Sequence, residues 1–509
     1  MCLEVTAMHR RTFITSLASL AVAGPAAAQM NHDMSTMNHG AQSNAPTTSL
    51  LDLPERQLLR ELPRLANQSA TPGLFKASIT AGPMNARLIE GVDTPMLGYN
   101  GGNPVIEVTE GDRVELDFTN DIPEEPTTIH WHGMPVPADQ DGNPMDAVAP
   151  GGGRSYVFDL PPGSAAPYWF HPHPHEFTAE QVYRGLAGVF LVKPKADPIP
   201  AAYGDTVLLL TDIRLAADGA IAPNTSVDLM NGRVGDHVLT NGQRNPKIKV
   251  RIGERRRFRL INATNARFLR LAFENARMTV IGTDGGLLEA PVAADEILLT
   301  PGERVEIVAA FDTPGPATLT TLEYDRGWMG PGKPDESRLA LLTASIAGDL
   351  AEPMPDLPRE LRTIPALTTP AVTRRFVLSE EMGGGMEGMD HSSMPAAGMK
   401  FLINGASFDM NRIDTVSKVG QVELWEIVND ADMDHPFHIH GTQFQVIERE
   451  LGGAVSQAPY PTWKDTVNVV PGETVRILLR QDLPGARMYH CHILEHEKLG
   501  MMGVVDVQA

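Results

Sequence analysis

The last stretch of the chain, Met488 to Met502, places His490, Cys491, His492, His496 and Met501 within twelve positions. On a strand, side chains alternate between faces, so His490 and His492 point one way and Cys491 the other. One strand then serves two metal sites. Cys491 as a soft thiolate, His496 five residues on and Met501 ten on supply three of the four ligands of a blue-copper centre, which takes two imidazoles, one thiolate and a weak axial thioether. Three more histidine clusters stand elsewhere: His130-Trp-His132, His171-Pro-His173 and His435-Pro-Phe-His438-Ile-His440. Extended His-x-His sets both imidazoles on one face about 7 Å apart, at roughly 3.3 Å per residue. Four such pairs offer eight imidazoles, which fit a cluster of three coppers with positions left open for dioxygen. His435 then completes the blue site. Because Cys491 lies between two cluster histidines, an electron leaving the blue site reaches the cluster through a few backbone bonds, and four one-electron steps turn dioxygen into two waters. One pair alone would read as a surface zinc site; four pairs with a correctly spaced Cys, His and Met do not.

The elements that must hold these residues show an internal period. In Pro104 to Asn120, Pro246 to Asn262 and Asp414 to Asn429, a glycine (Gly111, Gly253, Gly420) precedes an asparagine (Asn120, Asn262, Asn429) by nine positions, with alternating apolar residues between. This predicts one hairpin-like unit used three times. Each unit is followed by a Pro-Gly entering a second alternating strand: Pro150-Gly151, Pro301-Gly302 and Pro471-Gly472. Three occurrences in one order make a repeat. Short strands punctuated by Gly and Pro predict an all-β chain of β-sandwich domains. Boundaries fall in the Pro-rich Lys193 to Ala202 and near Ile346 to Pro365, dividing the chain into 51–195, 196–355 and 356–509. The segment 382–399 is a low-complexity Gly/Met insert carrying Met382, Met386, Met389, Met394, Met399 and His391.

A length of 509 residues calls for about three domains. The net charge of −21 argues against nucleic acid or an anionic membrane as partner. Arg10-Arg11, an apolar run to Ala23 and Gly24-Pro25-Ala26-Ala27-Ala28 read as a signal peptide over 1–28 resembling a twin-arginine address, with Met1 or Met8 as the start. Export to the periplasm follows. No later stretch reaches membrane-span length, so a soluble mature protein is expected, and three domains that bury their own cores need no partner and predict a monomer. Residues 29–50 form a polar tail in which Met30, His32, Met34, Met37 and His39 cluster. Of the two cysteines, Cys2 leaves with the signal and Cys491 remains as a ligand rather than a disulfide partner.

His-Trp-His-Gly, His-Pro-His, His-Pro-Phe-His-Ile-His-Gly and His-Cys-His with its downstream His and Met-Met resemble the four copper motifs of three-domain multicopper oxidases. The likeness covers essentially the whole mature chain and is nearest to bacterial copper-efflux (cuprous) oxidases and bacterial laccases. It implies three cupredoxin-like Greek-key β-sandwich domains and four copper ions. By the resemblance, His435, Cys491, His496 and Met501 match the type 1 ligands and His130 and His438 the type 2 pair. His132, His171, His173, His440, His490 and His492 match the type 3 pair. Family members place proton-relay acids at the positions of Asp141 and Glu497. His175 falls outside the ligand pattern, and His237 reads as structural.

Dioxygen is the expected acceptor; the donor is read from the surroundings. Thioethers are soft ligands that Cu(I) prefers, and the insert resembles the Met-rich cover of copper-efflux oxidases. The family's substrate-copper Met matches Met433, but its Asp position is Ala431, with Asp432 and Asp434 as candidate substitutes. Three readings follow: a Cu(I) oxidase acting in copper tolerance with phenol oxidase activity; a laccase-like oxidase of phenols, aromatic amines, Fe(II) or Mn(II); and a non-catalytic copper-binding or cell-envelope scaffold. The complete ligand set speaks against the scaffold.

Overall fold

The computed structural model describes residues 48–330, 332–334, 338–381 and 398–509. The signal segment, the Met/His tail, His391 and Met382, Met386, Met389 and Met394 lie outside the described residues. Among those described, regular structure is almost wholly strand, with three α-helices of five or six residues. No helix there is long and apolar enough to cross a membrane.

Six sheets form three pairs. The first pair sets the sheet of Val92–Tyr99, Leu74–Ile89, Arg113–Asn120 and Gly153–Asp159 against that of Val105–Thr109, Gly188–Lys193, Ala166–His171 and His130–His132. Phe75, Leu116, Trp131, Tyr156 and Phe190 fill the space between. The second pair has seven and five strands around Phe258, Leu271, Ile307 and Leu342. The third has six and five around Phe376, Trp425, Phe437 and Ile477. Alternating strands such as Val422–Asn429 bury every second side chain, as a sheet with one wet face requires.

The repeat is a device, and it is not a hairpin. Val105–Thr109 pairs with Gly188–Lys193, whereas Arg113–Asn120 pairs with Leu74–Ile89 in the opposite sheet. The same switch separates Lys247–Ile252 from Glu254–Asn262, and Thr415–Lys418 from Val422–Asn429. The glycine turn carries the chain across the sandwich instead of back along one sheet. Local turn chemistry is alike for both outcomes, since Gly111, Gly253 and Gly420 supply the positive φ of 89°, 81° and 75° that either turn tolerates.

The asparagine then pins the loop beyond each second strand. Asn120 donates to the carbonyls of Glu125 and Val148 and accepts from the Ile122 amide. Asn262 donates to Arg267 and Leu299, and Asn429 to Met433 and Val469, each accepting from the amide two residues on. The Pro-Gly glycines complete the knot, with the amides of Gly151, Gly302 and Gly472 donating to the backbone oxygens of Asn120, Asn262 and Asn429. Two of these pinned loops lead directly into ligand strands, at His130 and His435. Replacing Asn120 by Ala removes three hydrogen bonds, two of them buried, and releases the loop from Ile122 to Val148. Urea unfolding is expected to show a loss of about 2–4 kcal/mol, against almost none for an alanine at the exposed Lys418.

Candidate metal centres

Register brings the histidines together. His130–His132 runs antiparallel to Ala166–His171 with His130 opposite His171. His435–Ile439 runs antiparallel to Gly485–Cys491 with His438 opposite His490 and Phe437 opposite Cys491. These strands are buried on both faces and lose the usual exposure alternation. One face packs into a hydrophobic core, with Trp131 in the first and Phe437, Ile439 and Cys491 in the third. The other face presents imidazoles. Cys491 faces away from His490 as expected, but the strand ends at Cys491 and His492 follows it in a bend.

Eight imidazoles from the first and third sheet pairs converge, all fully buried. His130 stacks on His440 with ring centres 3.7 Å apart, and His132 on His438 at 3.8 Å. His490 Nε2 lies 3.2 Å from both His173 Nε2 and His440 Nε2. Neighbours within one His-x-His are 5.2–5.9 Å apart, less than the extended estimate because the rings lean toward a shared centre.

Hydrogen bonds at one ring nitrogen decide which nitrogen is left for a metal. His171, His438 and His490 bond through Nδ1 to the backbone oxygens of Pro172, Asp465 and Cys491, which turns Nε2 inward. His130 Nδ1 meets Asp141, again freeing Nε2. His132 is reversed: Nε2 is held by Asp465 and Thr466, and Nδ1 is the buried nitrogen without a partner. Burial pushes His132, His171, His173, His438, His440 and His492 well below the usual imidazole value, and His490 to about 3, with neighbouring imidazoles contributing. These rings are neutral at pH 7, with lone pairs facing one another. Buried unpartnered nitrogens of this type fit copper.

Across the strand, Cys491 Sγ lies 3.4 Å from His435 Nδ1 and 3.9 Å from His496 Nδ1, and the two imidazole nitrogens are 3.3 Å apart. Met501 is fully buried in the same core. His496 is fixed by Nε2 on the Met230 carbonyl at 3.1 Å and by Phe401 stacked 3.8 Å away. Burial raises the Cys491 thiol, so a cation is needed to hold the thiolate.

Asp141 is fully buried, with its two oxygens 3.2 Å from His130 Nδ1 and His440 Nδ1, one stacked pair. Asp465 serves the other stacked pair, Oδ1 lying 3.1 Å from His132 Nε2 while its backbone oxygen takes His438 Nδ1 at 2.8 Å. Sequence reasoning missed Asp465, which lies outside every histidine motif. The signal was indirect: Gly133 has φ 79° and a Cβ there would fall 2.0 Å from Asp465 Oδ2, so the glycine after His132 reports a close carboxylate. Glu497 is buried on the helix Leu494–Lys498 beside Thr178, and burial pushes its carboxyl up to about 8.

The candidate substrate residues separate. Met433 is buried, Asp434 is taken by Tyr324 Oη at 2.7 Å and Asn468 Nδ2 at 2.6 Å, and Asp432 is exposed beside Glu380. Met399 packs with Met230 and Met329. His175 sits beside Phe408, outside the clusters, and His237 bonds the Leu51 carbonyl as a structural residue.

Three family models, each described as multicopper oxidase, match residues 80–197, 206–318 and 384–509. A multicopper oxidase of Staphylococcus epidermidis is 34% identical over 422 residues, covering 81% of this chain and 83% of the relative. Among solved structures, a Campylobacter jejuni multicopper oxidase, described as a metallo-oxidase, superposes with TM-score 0.84 at 41% identity, covering 91% of this chain and 99% of that one. A laccase-like multicopper oxidase of Ochrobactrum sp. gives TM-score 0.75 at 29% identity, covering 90% and 100%. Fold and site thus define an oxidase built from cupredoxin-like domains. The chain belongs to the three-domain multicopper oxidases, with copper as cofactor and dioxygen as acceptor. Replacing Cys491 by Ser is expected to abolish the intense visible band of the copper-loaded protein and to lower bound copper by one ion per chain, read by absorption and metal analysis.

Proposed function

We propose that the chain binds four coppers. His435, Cys491, His496 and Met501 hold the type 1 ion, His130 and His438 the type 2 ion, and His132, His171, His173, His440, His490 and His492 the type 3 pair. Copper so held would take electrons singly from a reductant and reduce dioxygen to two waters. The protein's own contribution is positioning and protons. Asp141 orients His130 and His440, and Glu497, protonated at neutral pH, holds a proton for the product. We place the enzyme in the periplasm, exported through the Arg10-Arg11 signal.

The reductant is Cu(I), in a copper-tolerance role. The observation that carries this is the thioether cluster of Met230, Met329 and Met399 at the type 1 edge, where the backbone carbonyl of Met230 accepts from His496 Nε2. Soft thioethers favour Cu(I), and the Met-rich insert enters at Met399. Glu380, two residues before the insert in sequence, accepts the Asp432 amide, and these two are the candidate carboxylates, Asp434 being committed to Tyr324 and Asn468. The Campylobacter jejuni relative, described as a metallo-oxidase, supports the same reading. The second reading, laccase-like oxidation of phenols, rests on the Ochrobactrum relative, described as active on lignin model compounds.

Oxygen uptake with Cu(I) as sole reductant is expected to be rapid and to collapse when residues 382–399 are deleted. Weak uptake with Cu(I), alongside phenol turnover that survives deletion, would move the enzyme to the laccases. Glu497→Gln is expected to cut steady-state oxygen uptake by at least about tenfold while anaerobic bleaching of the blue band keeps its rate; unaltered uptake would leave Glu497 without a proton role.

A further inference from the structure

The middle pair of sheets carries none of the candidate copper ligands, yet one of its strands starts against the cluster. Pro301-Gly302 turns there into Arg304–Phe311. The turn meets Lys464-Asp465, which immediately precede the strand Thr466–Val469 of the third pair. Two consecutive charges on one side face two of opposite order on the other. Glu303 Oε1 lies 2.9 Å from Lys464 Nζ, and Arg304 grips Asp465 with Nη1 to Oδ1 at 2.6 Å and Nη2 to Oδ2 at 2.5 Å. Asp284 braces the pairing from behind, 2.9 Å from Lys464 Nζ and accepting the Arg304 amide.

Arg304 has no donor to spare. Nε donates to Pro167 O, two residues before Trp169, Nη1 also to Gly302 O, and Nη2 also to Asp284 O. The guanidinium therefore ties all three sheet pairs at one point, and both Arg304 and Asp465 are fully buried. The Gly302 backbone packs on the rings themselves: a Cβ there would come 3.0 Å from His132 Cε1 and 2.9 Å from His492 Cδ2. The Oδ1 that accepts from Arg304 Nη1 also meets His132 Nε2, and the Asp465 carbonyl takes His438 Nδ1, with Thr466 Oγ1 3.2 and 3.1 Å from the same two nitrogens.

We propose that Arg304 and Asp465, braced by Glu303 and Lys464, are positioning residues through which the middle domain sets which ring nitrogens His132 and His438 present to copper. The proposal rests on the ligand assignment above. A carboxylate locked by a five-donor guanidinium cannot rotate, so the His132 ring is held with Nδ1 inward. Freed from it, the ring can turn over and exchange its nitrogens. A residue that only filled space would leave the copper signals unchanged.

The test uses full-length copper-loaded enzyme with Asp465→Asn and Arg304→Lys, and Thr466→Val as a milder variant that keeps the charge pair. The copper content, the blue band, the electron paramagnetic resonance signal of the histidine-bound copper, and kcat and KM are measured. Expected for Asp465→Asn are an unchanged blue band and KM, an altered or lost histidine-copper signal, and kcat reduced at least about tenfold. Arg304→Lys should follow in the same direction. Should either variant fail to fold, Thr466→Val decides: a shifted signal with an intact blue band supports the proposal, and an unshifted signal with kcat within about twofold of the parent overturns it. A parent lacking any histidine-copper signal would overturn the ligand assignment itself, a failure visible before any variant is made.

Discussion

Eight imidazoles buried against one another are the constraint on which this structure turns. A buried ring nitrogen without a partner costs about 1–3 kcal/mol, and protonating it is blocked by desolvation and by the neighbouring rings. The remaining arrangement is lone pairs directed at a common cation. Metal binding then becomes part of folding stability, because only the folded chain assembles the donors. Every ring must also be fixed from outside, since a loose imidazole would present the wrong nitrogen. That requirement explains the carbonyls of Pro172, Asp465 and Cys491 and the carboxylates of Asp141 and Asp465 around the cluster.

The two stacked pairs, His130 on His440 and His132 on His438, are handled alike. Each joins a ring of the first sheet pair to one of the third and each meets one buried aspartate, Asp141 from the first or Asp465 from the third. Glycines at the ends of the ligand strands allow this closeness. A side chain at Gly133 would strike Asp465, and one at Gly441 would strike Arg487. The repeat has thus been used three times for folding and twice for ligands. Its middle copy keeps the asparagine knot and spends the adjoining Pro-Gly turn on Arg304.

The proposed blue centre depends on the same strand and the opposite logic. Cys491 faces a hydrophobic core with Met501 and Phe437, where burial disfavours a free thiolate. Bonding to copper would stabilise the thiolate charge there. His490 and His492 flank it, so the two candidate centres are joined by adjacent residues of the backbone rather than by packing that could loosen.

Much of this was legible in the sequence, and the limit is a physical one. Strand periodicity is local, so His-x-His faces, the placement of Cys491 and the alternation of the core strands follow from spacing alone, and ligand type follows from thioether, thiolate and imidazole chemistry. The all-β sandwich followed from the same pattern. The Gly-to-Asn unit was recognised but its pairing was not, because a glycine turn permits a hairpin and a sheet switch equally, and only the opposing strands decide between them. Asp434 was a plausible metal ligand until the fold gave it to Tyr324 and Asn468. Asp465 lies 333 residues from His132, and Arg304 lies 161 from Asp465. No period links residues so far apart. By itself the sequence determined which donors the protein owns and which face each occupies; tertiary packing alone decided which rings meet, which nitrogen each turns inward, and which charges hold them there.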